Sequence, residues 1–318
     1  MTDPILDRAR GCLLGLAVGD AVGTTLEFRR RGSFTPINDM VGGGPFGLKP
    51  GQWTDDTSMA LCLATSLVEH GFDPLDQMKR YVKWRDTGFL SSTGTCFDIG
   101  STVASALHRF ERTGEPFSGS VDPHSAGNGS IMRLAPVVLF AWPDRERAAA
   151  LAAESSRTTH GANEAVDACV LLSAILHAAL NGEPRESVLR APDTFFRAAD
   201  ESADRRMSLS PGLLSIVRGD YQNKGADAIC GSGYVTESLE AALWCFARTD
   251  CFRDAILAAA NLGDDADTTA AVCGQIAGAF YGESAIPADW LRRLHLHGFI
   301  RDLADRLIAV QPTDIDDA

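Results

Sequence analysis

No CxxC pair occurs among the eight cysteines, which stand at positions 12, 62, 96, 169, 230, 245, 251 and 273. Most fall inside apolar runs, where a thiol behaves as a small buried hydrophobe. Zinc and a disulfide framework are therefore disfavoured, and a reduced, cytoplasmic setting is expected. No unbroken apolar segment reaches the ~20 residues of a bilayer-crossing helix, so no membrane role is expected. The short apolar stretch at 12–19 runs directly into Asp20, where a leader peptide would carry a small-residue cleavage site. Positive charge is also scarce: 29 Lys and Arg face 42 Asp and Glu, a formal net charge of −13. Such a surface repels a phosphate backbone, and the one basic run, residues 29–31, is too short to counter it. Nucleic acid is thus a poor partner.

Strand-like alternation between hairpin turns is nearly missing, whereas helical periodicity and alanine, the best helix former, are abundant. "MALCLATSLVEHG", "EAVDACVLLSAILHAALNG", "ESLEAALWCFART" and "CFRDAILAAANLG" all read as amphipathic or buried helices, several closed by Gly. The expectation is an all-α, single compact multi-helix domain with loops at 29–52, 113–130, 181–195 and 219–235. Two glycine series stand out: Gly11, Gly15, Gly19 and Gly23, then Gly274, Gly278 and Gly282. A spacing of four puts each series on one helix face. Glycine costs roughly 1 kcal/mol against alanine in a helix interior, so the stripes predict close backbone approach between the first helix and the helix after "DDADTT".

Two acidic segments raise a chemical question. Thr54, Asp55 and Asp56 precede one apolar helix, and Asp264, Asp265, Asp267, Thr268 and Thr269 precede another. One oxygen-bearing side chain suffices to cap a helix, and here there are three and five. Two carboxylates about 4 Å apart repel by about 4 kcal/mol at an effective dielectric of 20. Hard divalent cations relieve that conflict, and all-oxygen ligation favours Mg²⁺, Mn²⁺ or Ca²⁺ over zinc. "DADTT" also fits a DxDxT phosphatase nucleophile motif, but a helix-like run precedes it where that motif follows a buried strand. An EF-hand loop fails too, because its twelfth position would be Gln275 or Ile276.

At this point the chain resembles the ADP-ribosylglycohydrolases, most closely their dinitrogenase reductase-activating branch. The likeness spans residues 9–308 and rests on blocks in family order: "GCLLGLAVGDAVGTTLEF", "GQWTDDTSMAL", "FDIG", "SAGNGSIMRLAPV", "SRTTH", "GSGYVTESLEAALWCF" and "NLGDDADTTAAVCGQIAGAFYG". It implies an all-α fold holding two divalent cations, Mg²⁺ or Mn²⁺, and hydrolysis of the bond joining ADP-ribose to an acceptor. The implied metal ligands are Thr54, Asp55, Asp56, Asp265, Asp267 and Thr268, with Asp264 a neighbour of the ligands. Glu27 in "TLEF" matches an acid beside the metals and ribose, and Asp98 in "FDIG" an acid near the scissile bond. Taken alone, Asp98 reads as a helix N-cap. The general base is one of Asp98, Glu27 or a metal-binding aspartate such as Asp56. Gly127, Asn128, Gly129 and Ser130 are implied phosphate or ribose contacts, and a glycine-rich turn before a helix suits a diphosphate. His160 is expected at the ribose or phosphate, and Gly233 and Tyr234, after "GSG", at a base or ribose. The resemblance favours ADP-ribosyl-arginine on protein as substrate, with ADP-ribose as product and a monomer as the working form. Serine or nucleic-acid adducts, or a non-catalytic ADP-ribose-binding or toxin-immunity role, are the alternatives.

Overall fold

A computed structural model describes residues 3–198 and 209–309. Among them there are fourteen α-helices and no strands, only three isolated bridges. In chain order the helices are α1 (Pro4–Gly23), α2 (Asp55–His70), α3 (Pro74–Thr87), α4 (Ser101–Thr113), α5 (Ala135–Ala141), α6 (Arg145–Arg157) and α7 (Asn163–Leu180). They continue with α8 (Arg185–Ala198), α9 (Pro211–Arg218), α10 (Val235–Ala247), α11 (Phe252–Ala260), α12 (Ala266–Tyr281), α13 (Ala288–Arg293) and α14 (His297–Ala309). The all-α expectation holds.

The centre is an antiparallel pair, α1 against α12, enclosed by α2, α5, α7, α10, α11 and α14. Glycine makes that pair possible. A Cβ on Gly11 would lie 2.3 Å from the Gly278 carbonyl oxygen, one on Gly15 2.2 Å from that of Gly274, and one on Gly23 2.3 Å from that of Ala266. The two backbones thus touch directly, as the stripes predicted, and carbonyl oxygens occupy the space a side chain would need. Gly282 departs from the pattern. It follows α12 as its C-cap with φ 83°; its backbone still meets α1, since a Cβ on Gly11 would lie 2.6 Å from its carbonyl carbon, but a Cβ of its own would run into the Asp7 carboxylate.

Two expectations need correction. Residues 181–195 are not all loop, because α8 starts at Arg185 and runs through Pro192. Its buried Val188, Leu189 and Phe195 lie on one face, and that amphipathic stripe outweighs the proline. The helix that Asp98 was expected to cap starts only at Ser101, with Gly100 as its N-cap. Helix α7 is apolar and long enough by composition to cross a membrane, but 83% of that window is buried, against α6, α8, α10 and α12.

Candidate active site

Because α1 and α12 run antiparallel, the end of α1 lies beside the start of α12, and the start of α2 joins them. The two acidic segments, about two hundred residues apart, therefore meet. Neither is spent on capping its own helix. Thr54 is the N-cap of α2 and Asp265 the N-cap of α12, yet neither makes a side-chain capping bond.

Capping comes from elsewhere in the chain. Asp20, fully buried on α1, accepts from the Thr54 N–H (2.9 Å) and the Thr57 N–H (3.0 Å), and from the hydroxyls of both (2.9 and 2.6 Å). Glu27 accepts from the N–H groups of Ala266 (2.8 Å) and Asp267 (3.3 Å) at the start of α12. Asp267 alone serves its own helix, its Oδ1 accepting from the Thr268 N–H at 2.8 Å; the other acidic side chains of the two segments are left for other work.

Those side chains converge. The carboxylates of Glu27, Asp265 and Asp267 offer oxygens within 4.8 Å of one another. The Thr54 hydroxyl is 3.2 Å from Asp267 Oδ2, and the Thr268 hydroxyl donates to Asp56 Oδ1 at 3.1 Å. Among the described residues Asp56 Oδ2, which is buried, has no hydrogen-bond partner, a costly state for a carboxylate unless a cation or proton meets it. Burial, and then the neighbouring carboxylates, push Asp55, Asp56 and Glu27 well above the ordinary carboxylate range. Burial foremost holds Asp265 and Asp267 at about 7 and Asp98 at about 6. A group of acids that cannot ionise together, with an orphaned oxygen among them, fits hard divalent cations.

The cluster forms one wall of a cleft of about 360 Å³, within the usual range for ligand pockets. Glu27, Asp55, Asp98, Gly127, Asn128, Gly129, His160, Gly233, Asp265, Asp267 and Thr268 all line it. Thr54 and Asp56 are buried behind that wall. Asp98 is not a helix cap: it stands two residues before the Gly100 N-cap, with φ 60°. Asp264, also at positive φ, ties its backbone to the segment after Glu27 through Phe28 N–H to Asp264 O and Asp264 N–H to Arg29 O, both 2.8 Å. Asn128 donates to Asp265 Oδ2 at 3.0 Å, and its N–H donates to the Gly233 carbonyl at 3.1 Å. Burial and the nearby Arg133 charge hold His160 down at about 3, so its ring is neutral.

Two expected contacts are displaced. The Ser130 hydroxyl receives a bond from Ser156 at 3.0 Å and from the Cys169 thiol at 3.4 Å, so it faces the core and not the cleft. Tyr234 pairs its backbone with Gly127, but its ring is absent from the cleft lining and its hydroxyl donates to the Glu164 carboxylate. With 40% of the residue exposed, it is not core packing either. Asp20 escaped the sequence reading. Its signal was a lone acid within an apolar helical run, which demands buried partners.

The ADP-ribosylglycohydrolase family model matches residues 1–316. ADP-ribosylarginine hydrolase Tri1 of Pseudomonas putida (strain GB-1) is 46% identical over 314 residues, covering 97% of this chain and 81% of that protein. The ADP-ribosyl-[dinitrogen reductase] glycohydrolase of Rhodospirillum rubrum is 32% identical, covering 99% of this chain and all of that protein (100%). A solved structure described as an ADP-ribosylglycohydrolase-related protein complex superposes with a TM-score of 0.82 at 44% identity, covering 96% of this chain and 98% of that one. Geometry and likeness agree, and the chain belongs to the ADP-ribosylglycohydrolase family.

Proposed function

We propose that this protein hydrolyses the bond between ADP-ribose and an arginine side chain on a modified protein, with two divalent cations, Mg²⁺ or Mn²⁺, in the acidic cluster. The observation that carries the reading is the freedom of that cluster: Asp20 and Glu27 cap the two helices, and among the described residues Asp56 Oδ2 is left without a partner. Thr54, Asp55, Asp56, Asp265, Asp267 and Thr268 would hold the cations. Bound there, such ions neutralise the carboxylates, grip ribose hydroxyls and make a water more acidic. The relative named as an ADP-ribosylarginine hydrolase supports the arginine acceptor, and the one named as an ADP-ribosyl-[dinitrogen reductase] glycohydrolase supports a protein substrate.

The chain's own residues divide the remaining work. The turn at Gly127, Asn128 and Gly129 suits the diphosphate, with neutral His160 beneath it. Glu27 is committed to the α12 amides and Asp56 is buried behind the wall, whereas Asp98 lines the cleft. Asp98, held at about 6 by burial, is therefore the proton carrier for the attacking water and the departing guanidine. Cleavage at the ribose C1″ passes through an oxocarbenium-like state, which the surrounding carboxylates stabilise.

The test follows release of labelled ADP-ribose from an arginine-modified protein with Mn²⁺, with Mg²⁺ and with chelator. Asp98→Asn and Asp267→Ala variants run alongside. Metal-dependent release that both substitutions abolish is expected. Release that persists in chelator would overturn the metal assignment. ADP-ribose binding without release would point to another acceptor or a binding role.

A further inference from the structure

Arg133 is a completely buried cation, and no carboxylate pairs with it among the described residues. An unpaired buried charge is costly, so its partners matter. Its Nε donates to the Tyr81 hydroxyl at 3.2 Å, and the guanidinium lies 5.1 Å from that ring's centre. One Nη donates to the Gly129 carbonyl; the other donates to the hydroxyls of Thr159 (2.7 Å) and Thr158 (3.4 Å).

Two of those contacts lead to the cleft. The Gly129 carbonyl shares a planar trans peptide with the Ser130 N–H, which must point away from the guanidinium. Among the described residues, the N–H groups of Gly129, which lines the cleft, and of the following Ser130 have no protein acceptor. The second contact reaches His160, whose Nδ1 lies 2.9 Å from the Thr159 hydroxyl. That oxygen already accepts from Arg133, and its own proton has no other acceptor among the described residues, so it goes to Nδ1. The ring proton then sits on Nε2, beneath the Gly127–Gly129 turn: a Cβ on Gly129 would lie 3.1 Å from Nε2.

We propose that Arg133 is a positioning residue which, through the Gly129 carbonyl and the Thr159 hydroxyl, orients the free amides and the Nε2–H of His160 as donors to the ligand's diphosphate. This rests on the reading of the cleft as an ADP-ribose site. Arg133 itself touches no ligand.

The test compares wild type with Arg133→Met, Arg133→Lys and Thr159→Val. Imidazole ¹⁵N shifts of His160 are read without ligand, and ADP-ribose and Mn²⁺ affinities by calorimetry. Wild type is expected to show the Nε2–H tautomer. Arg133→Met should mix the tautomers and weaken ADP-ribose binding roughly ten- to hundredfold, with Mn²⁺ affinity within about twofold. Arg133→Lys should recover part of the loss. Thr159→Val should mix the tautomers with a smaller loss of affinity, and it decides the matter if Arg133→Met does not fold. A wild-type Nδ1–H tautomer, or a tautomer unmoved in Thr159→Val, would overturn the proposal. Failure of wild type to bind ADP-ribose at all would instead overturn the reading of the cleft, and with it the ligand named here.

Discussion

Replacing Gly15 by alanine adds one methyl group in the middle of the α1–α12 contact. That carbon would lie 2.2 Å from the Gly274 carbonyl oxygen, 3.0 Å from its carbon and 3.2 Å from Gly278 Cα. All three are backbone atoms, so no side chain can rotate aside. Favourable contacts begin near about 3.5 Å, so α12 must retreat by roughly 1 Å. Overpacking of this kind costs about 1–3 kcal/mol, and rigid backbone on both sides puts Gly15→Ala at the upper end. Alanine's helix propensity offsets about 1 kcal/mol, which leaves a net loss of about 2 kcal/mol. Gly298→Ala is the control, since nothing lies within 4 Å of its Cβ and it sits in α14; it should be neutral or slightly stabilising. The assay is urea unfolding followed by circular dichroism. Turnover is measured on protein that is still folded. Because α12 carries Asp267 and Thr268, a displacement of roughly 1 Å should also lower kcat/KM, by as much as about a hundredfold. A Gly15→Ala protein as stable and active as wild type would refute the backbone-contact argument.

In chelator, acidification should stabilise the protein. Asp98, Asp265 and Asp267 are held at about 6, 7 and 7, above their unfolded values, so the three together bind more protons in the folded state and outweigh His160, whose value of about 3 acts the opposite way below its unfolded 6.5. The stability they contribute is complete below about pH 4 and is lost as pH rises through about 6–7. Saturating Mn²⁺ should remove this trend, and a melting temperature that rises from pH 5 to pH 8 in chelator would refute it. Asp20→Ala should cost about 2–4 kcal/mol, because it strands the buried Thr54 and Thr57 N–H groups; calorimetry should show weaker Mn²⁺ binding as well. Ser130→Ala should cost about 1 kcal/mol of stability through its bond with Ser156 and leave the ADP-ribose dissociation constant unchanged. A large loss of affinity there would place the hydroxyl in the cleft.

The helical class, the loops around 29–52 and 219–235, and the pairing of the two glycine stripes were all legible in the amino-acid sequence. These are written in short windows: a period of 3.6, a spacing of four, and an excess of oxygen ligands before two apolar runs. The sequence also showed that residues 54–56 and 264–269 carry more acid than capping requires. What those acids are free to do depends on contacts made across the fold. Asp20 reaches Thr54 across 34 residues, and Glu27 reaches Ala266 across 239, distances over which no local pattern carries information. The same holds for Ser130, whose hydroxyl turns to the core because Ser156 lies there, and for Arg133, whose partners come from three separate segments. Periodicity tells a chain which face to bury. Which groups meet across the buried space depends on how closely α1 and α12 can approach, and that is set by the missing side chains of their glycines.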